Sequence, residues 1–157
     1  MYLLDTNVLS ELRPGKPQAH AAVRAWAASL NDREAYLSVI SILELHRGIL
    51  RLERKTPPEG GALRAWFEAL RATYATRILP FGEQAALLCA GLHVPNPCAE
   101  RDAMIAATAL EHGFTVVTRN VDDFAGTGVR LVNPTQVLAA ALARHAYGAM
   151  ADATLLR

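Results

Sequence analysis

Tyr2-Leu3-Leu4-Asp5-Thr6-Asn7-Val8-Leu9-Ser10 opens as a short apolar run and stops abruptly at a carboxylate, a hydroxyl and an amide. Apolar residues then resume at helical spacing with Val8, Leu9 and Leu12. This is the pattern of a buried strand turning directly into a helix, with Asp5 at the strand's carboxyl end. In open α/β sheets ligands bind beyond that end of the strands, so an acid there is placed for chemistry or for a metal. Asp5 or Thr6 is equally suited to capping the helix that follows. The stretch alone does not choose between the two.

The rest of the chain repeats the alternation. Arg13-Pro14-Gly15-Lys16-Pro17 makes a turn, and Ala22, Val23, Trp26 and Leu30 give residues 18–30 an amphipathic helical stripe. Residues 35–39 read as a second strand, followed by a helix over 41–53 with Leu45, Ile49 and Leu52 on one face. Pro57-Pro58-Glu59-Gly60-Gly61 reads as a loop, and a helix over 62–75 presents Leu63, Trp66, Phe67 and Leu70 inward. A short strand at 77–80, a helix at 83–91 and a helix at 98–112 follow, the last ended by Gly113. Residues 114–118 and 129–132 complete the strands, and Pro134 opens a final helix carrying Val137, Leu138, Ala141 and Leu142. Strands and helices alternating at this spacing predict an α/β, three-layer α/β/α domain with a central parallel sheet of about five strands. Residues 1–143 form one domain in this reading, and 144–157 a weakly patterned tail.

The chain has 157 residues, 52% of them hydrophobic, which suits one folded domain. Its formal net charge is +1, so there is no overall electrostatic footprint of nucleic-acid binding. Lys16 and Lys55 are the two lysines, and the remaining basic residues are arginines, the side chain suited to bidentate phosphate contacts. Cys89 and Cys98 are too few for a disulfide framework or a zinc site and are expected to be reduced thiols. Asp5 interrupts the first apolar run, and no long apolar stretch suits a bilayer, so the expectation is a soluble, cytoplasmic protein.

Four acidic places stand at or near strand ends. Asp5 ends the first strand, Glu44 lies early in the helix after the second, and Asp122-Asp123 follow the fourth. Asp102 lies early in the helix leading to the fourth strand and shares a stripe with Ile105, Ala106 and Ala109. In a parallel sheet with right-handed crossovers the strand ends point one way, so the acids just past them converge, whereas Asp102 must reach the site from the start of a helix lying over the same edge. Each also has a plain structural role open to it. Ser41-Ile42-Leu43-Glu44 matches a capping box, Asp102 suits a helix N-terminus, and the aspartate pair suits a turn. Clustered carboxylates with no cation among them repel, and an all-oxygen set suits Mg²⁺ or Mn²⁺ over zinc. Such an ion activates water for phosphodiester hydrolysis. No phosphate-binding glycine loop, dinucleotide fingerprint or nucleophile elbow is present, and no histidine has ligand-like spacing.

Leu3-Leu4-Asp5-Thr6-Asn7, Ser41-x-x-Glu44-Leu45-x-x-Gly48, Arg101-Asp102-Ala103-x-Ile105-Ala106-Ala107 and Thr118-Arg119-Asn120-x-x-Asp123-Phe124 resemble the motif set of PIN-domain proteins. More narrowly they resemble the VapC/FitB type of toxin ribonuclease from toxin–antitoxin pairs. The resemblance implies that Asp5, Glu44, Asp102 and Asp123 are a catalytic, metal-binding quartet, with Asp122 the alternative to Asp123. Thr6, Thr118 and Asn120 become polar supports, and Arg13, Arg47, Arg101 and Arg119 candidate RNA contacts. It further implies an endoribonuclease dependent on Mg²⁺ or Mn²⁺ that inhibits translation. The implied partners are an RNA substrate and a small cognate antitoxin, with operator DNA bound only through the antitoxin. A homodimer is also implied, with Trp26, Trp66 and Phe67 as candidate contributors. The competing expectations are an RNA-processing nuclease of the same fold outside any toxin pair, and an inert RNA- or partner-binding module. A phosphoacceptor receiver domain is disfavoured, because neither lysine is near the last strand.

Overall fold

Parallel pairing puts the first strand at the centre of the molecule. The computed structural model describes residues 1–31 and 33–137. Strand β1 (Tyr2–Leu4) is followed at once by α1 (Thr6–Leu12) and then α2 (Ala21–Ala28). Next come β2 (Ala35–Ser38), α3 (Val39–Lys55), α4 (Pro57–Thr73) and β3 (Ile78–Leu79). The described chain continues with α5 (Glu83–Leu92), α6 (Glu100–His112), β4 (Thr115–Val117), a 3₁₀ turn (Val121–Phe124) and β5 (Arg130–Val132). The five strands form one sheet in the order β3-β2-β1-β4-β5, with every neighbouring pair parallel. This is the predicted α/β architecture.

Alternation along the strands creates the layers. Leu4 and Val117 join Val8, Leu9, Val23, Leu45, Ile49 and Phe67 in a core on the face covered by α1–α4. Their neighbours Leu3 and Val116 face the opposite way and pack with Ile105, Ala106 and Ala109 of α6 and with Phe124. Helix α5 packs outside α6, where Cys89 meets Ala103 and Ala107. Both cysteines are free thiols, as expected. Phe67 is fully committed to the core at 2% exposure, so it offers nothing to a dimer partner. Trp26 packs edge-to-face on Tyr2, with ring centroids 5.4 Å apart.

The expected loop at residues 57–61 is helical instead. Helix α4 begins at Pro57, since a proline in the first turn gives up only an N–H that has no helical partner. Gly60 shows what this turn needs a glycine for. A Cβ there would lie 2.4 Å from Glu53 Cγ and 2.6 Å from Glu53 Cα, so only a bare backbone lets α4 come that close to α3. Residues 134–137 begin the helix expected after Pro134. Its predicted Leu138, Ala141 and Leu142, and the 144–157 tail, lie outside the described residues. Among the described residues no helix is long and apolar enough to cross a membrane.

The two adjacent glycines should respond oppositely to the same change. Gly60→Ala forces α3 and α4 apart and should cost about 1–3 kcal/mol. A Cβ at Gly61 meets nothing within 4 Å. Gly61→Ala should therefore gain about 0.5–1 kcal/mol through helix propensity and a less free unfolded chain. Urea unfolding of the two single variants checks both signs.

Candidate active site

Strand register delivers the first acid. Leu4 pairs with Val117, so the next residue of each strand, Asp5 and Thr118, leaves the sheet beside the other. The Thr118 hydroxyl donates to Asp5 Oδ2 at 2.7 Å, and Asn7 Nδ2 donates to the same oxygen at 2.7 Å. The Thr6 amide donates to Asp5 Oδ1 at 2.6 Å, so Asp5 does cap α1. The capping role and the site role coexist in one carboxylate. Thr118 is itself saturated, accepting from Asn7 Nδ2 at 2.9 Å and from the Asn120 amide at 3.0 Å.

Glu44 arrives by a different route from the one its motif suggested. Helix α3 starts at Val39 with Ser38 as its cap, and Ser38 Oγ takes the Ser41 amide at 3.0 Å. That amide is already satisfied, so Ser41 and Glu44 form no capping box. Glu44 turns outward, where Oε2 accepts from the Thr6 hydroxyl at 2.6 Å and Oε1 pairs with Arg101 Nη1 at 3.3 Å. Asp102 sits half-buried in the first turn of α6, and Asp123 lies exposed on the 3₁₀ turn.

The electrostatics tie the four acids together. Burial pushes the Asp5 carboxyl up to about 6. The hydrogen bonds from Thr118 and Thr6 oppose the shift, and the charges of Asp102 and Glu44 add to it. Burial also raises the Asp102 carboxyl, followed by the charges of Asp123 and Glu44, with Arg101 pulling the other way. Asp123 is thus the member of the aspartate pair whose charge reaches Asp102. The donors are oxygens only, which suits a hard divalent cation. They repel without touching: among the described residues no three acidic, histidine or cysteine side chains are drawn into a ready-made metal cage.

Of the four predicted arginines, Arg101 stands among the acids, paired with Glu44. The other predicted arginines are scattered. Arg119 Nη1 lies 3.1 Å from Glu11 Oε1, a carboxylate 3% exposed that also holds Lys16 Nζ at 2.6 Å and accepts from the His20 amide at 2.9 Å. Arg13 follows the far end of α1, about 10 Å of helix from Asp5, beside a groove lined by Leu52, Leu63 and Trp66. Arg47 is exposed on α3, one turn beyond Glu44. Thr6 and Thr118 join the site through their hydroxyls, whereas Asn120 contributes its backbone amide and its side chain faces outward. Two contributors escaped sequence reasoning. Asn7 bridges Asp5, Thr118 and the Arg119 amide, the last donating to Asn7 Oδ1 at 3.2 Å. Glu11 anchors Arg119. Asn7 stood inside the opening motif, but Glu11 gave no signal beyond an acid on an apolar helix face. Among the described residues the histidines stay outside the acid cluster, with His46 stacked on Phe67 at 5.4 Å between centroids and His112 Nδ1 donating to the Thr108 carbonyl at 3.0 Å.

Thr118 should be as much a structural as a chemical residue. Thr118→Val leaves the Asn120 amide and one Asn7 donor without their acceptor, and should cost about 2 kcal/mol in urea unfolding. Thr118→Ser keeps the hydroxyl and should lose less than half of that.

Comparison with known proteins fits this geometry. A family model, the PIN domain, matches residues 2–129. The chain is 38% identical over 141 residues to Toxin FitB of Neisseria gonorrhoeae, covering 85% of this chain and 98% of that protein. It is 36% identical over 142 residues to VapC ribonuclease Y4jK of Sinorhizobium fredii, covering 85% and 97%. The solved structure of FitAB bound to a DNA fragment superposes with a TM-score of 0.77 at 36% identity, covering 85% of this chain and 95% of that one. With four acids gathered at the carboxyl edge of a five-stranded parallel sheet, this chain belongs to the PIN-domain family.

Proposed function

We propose that this chain is an Mg²⁺- or Mn²⁺-dependent endoribonuclease, the toxin of a toxin–antitoxin pair. The observation that carries the reading is the convergence of Asp5, Glu44, Asp102 and Asp123 at one sheet edge, with Asp5 raised by burial and the charges of Asp102 and Glu44, and Asp102 by burial and the charges of Asp123 and Glu44. Like charges kept together at such a cost call for a cation. These four carboxylates would hold it. When bound, the ion supplies an activated water and neutralises charge on a phosphodiester. Thr118 and Asn7 keep Asp5 in place, and the Thr6 hydroxyl does the same for Glu44.

Relatives named as a toxin and as a ribonuclease, at 38% and 36% identity, support RNA as the substrate and toxicity as the biological effect. The similarity to FitAB on DNA supports a small antitoxin partner that brings operator DNA to the complex. Translation inhibition, a homodimer and a cytoplasmic site of action belong to the same proposal.

The direct test is incubation of the antitoxin-free chain with total RNA and Mn²⁺. Discrete fragments should appear and should vanish with EDTA. Asp5→Asn and Asp123→Asn should each lower cleavage by more than about a hundredfold, while Asp122→Asn leaves it essentially unchanged. RNA left intact across several pools would favour an inert binding module. Cleavage surviving both Asp5→Asn and EDTA would overturn the site.

Asp5 also predicts a pH signature. Its carboxyl titrates at about 6 in the folded chain against an ordinary value of 3.8. The folded state therefore holds the proton more tightly, and without metal the Asp5 contribution to stability should fall as pH rises through that window. Mn²⁺ needs the ionised form, so its affinity should fall about tenfold per pH unit below the Asp5 value and level off above it. Calorimetric titrations across the range, paired with melting curves in EDTA, measure both slopes.

A further inference from the structure

Arg101 is the one cationic side chain, among the described residues, within ion-pairing distance of any of the four acids. Its contact is a single one, Nη1 to Glu44 Oε1 at 3.3 Å, longer than a strong charge-assisted hydrogen bond. The contrast within the same chain is Arg64, which grips Glu53 with two bonds at 2.5 Å and 2.7 Å. The Arg101 side chain is 42% exposed, so it can swing to solvent without disturbing the core. Glu44 does not depend on it for position, because the Thr6 hydroxyl holds the other carboxylate oxygen at 2.6 Å. Removing the guanidinium would free Oε1 and leave Glu44 where it stands. Arg119 cannot take its place, being tied to buried Glu11.

We propose that Arg101 is a counter-cation built into the acid cluster, seated on Glu44 until a divalent ion takes that carboxylate. This inference rests on the metal-dependent reading above. In the metal-free chain the guanidinium relieves part of the repulsion among Glu44, Asp102 and their neighbours. A divalent ion brings twice the charge to the same oxygens and displaces it, so metal binding carries the cost of breaking this pair. Arg101 thus acts on the site through the charge of Glu44, not through its position.

The test is Mn²⁺ binding by calorimetry to the full chain, without RNA and above the Asp5 titration range. Arg101→Ala should bind Mn²⁺ about three- to fivefold more tightly than the unaltered chain, the scale of a partly exposed ion pair. In EDTA the same variant should melt at a lower temperature, and its upward shift with Mn²⁺ should be larger. In a Glu44→Gln background the effect of Arg101→Ala on affinity should disappear, because the partner is gone. Arg101→Gln, which keeps the bulk and hydrogen-bonding capacity, should bind as Arg101→Ala does and decides the matter if the alanine variant fails to fold. Equal affinity in the arginine variants and the unaltered chain would overturn the role of Arg101 while leaving the metal reading standing. So would an undiminished gain in the Glu44→Gln background, which would mean through-space repulsion alone. Absence of Mn²⁺ binding by every one of these proteins would overturn the metal reading and this inference with it.

Discussion

The pairing of Leu4 with Val117 is the constraint on which the site depends. It sets Asp5 beside Thr118 as both chains leave the sheet, and burial then leaves that carboxylate no water to lean on. A buried carboxylate must find donors or a cation. The Thr118 hydroxyl, the Asn7 amide and the Thr6 backbone provide the donors. Because Thr118 in turn fastens the Asn120 amide, the turn that carries Asp123 is set by the same hydroxyl. One threonine thus couples the central strand, the first helix and the turn after the fourth strand.

The layers do the remaining positioning. Alternate residues of β1 and β4 face opposite cores, so the helices bearing Glu44 and Asp102 lie on opposite sides of the sheet. Their first turns reach over the same edge and meet there. Helix α3 is braced from behind by α4 at the close approach that Gly60 permits, and α6 is braced by α5 through Cys89, Ala103 and Ala107. The acids are therefore carried by elements with packed backs, while their carboxylates stay at the edge where charge can be met.

Charge at this edge is unequally compensated. Arg101 offers one loose contact, whereas Arg119 and Lys16 are both turned to Glu11 on the far side of α1. Basic residues close in sequence to the acids thus do not gather around them. The groups that donate to Asp5 are neutral: a hydroxyl, a side-chain amide and a backbone N–H. Neutral donors orient a carboxylate without cancelling its charge, which keeps it available to a cation.

The sequence by itself determined the alternating architecture, the central parallel sheet and the four acids as a candidate set, because strand and helix periodicities are local and strand ends in a parallel sheet share one direction. It misread two helix starts for the same local reason. The Pro57-Pro58-Glu59-Gly60-Gly61 run carries loop chemistry until α3 is there to need a bare Cα, and Ser41 looks like a cap until Ser38 is seen to hold its amide. Asn7 lay inside a quoted motif, yet its bridging role needed Thr118, which is 111 residues away along the chain. The choice of Arg101 for Glu44 and of Arg119 for Glu11 was likewise decided only in three dimensions. Long flexible cations pair with whichever anion the packing brings within reach, and no spacing in the chain encodes that distance.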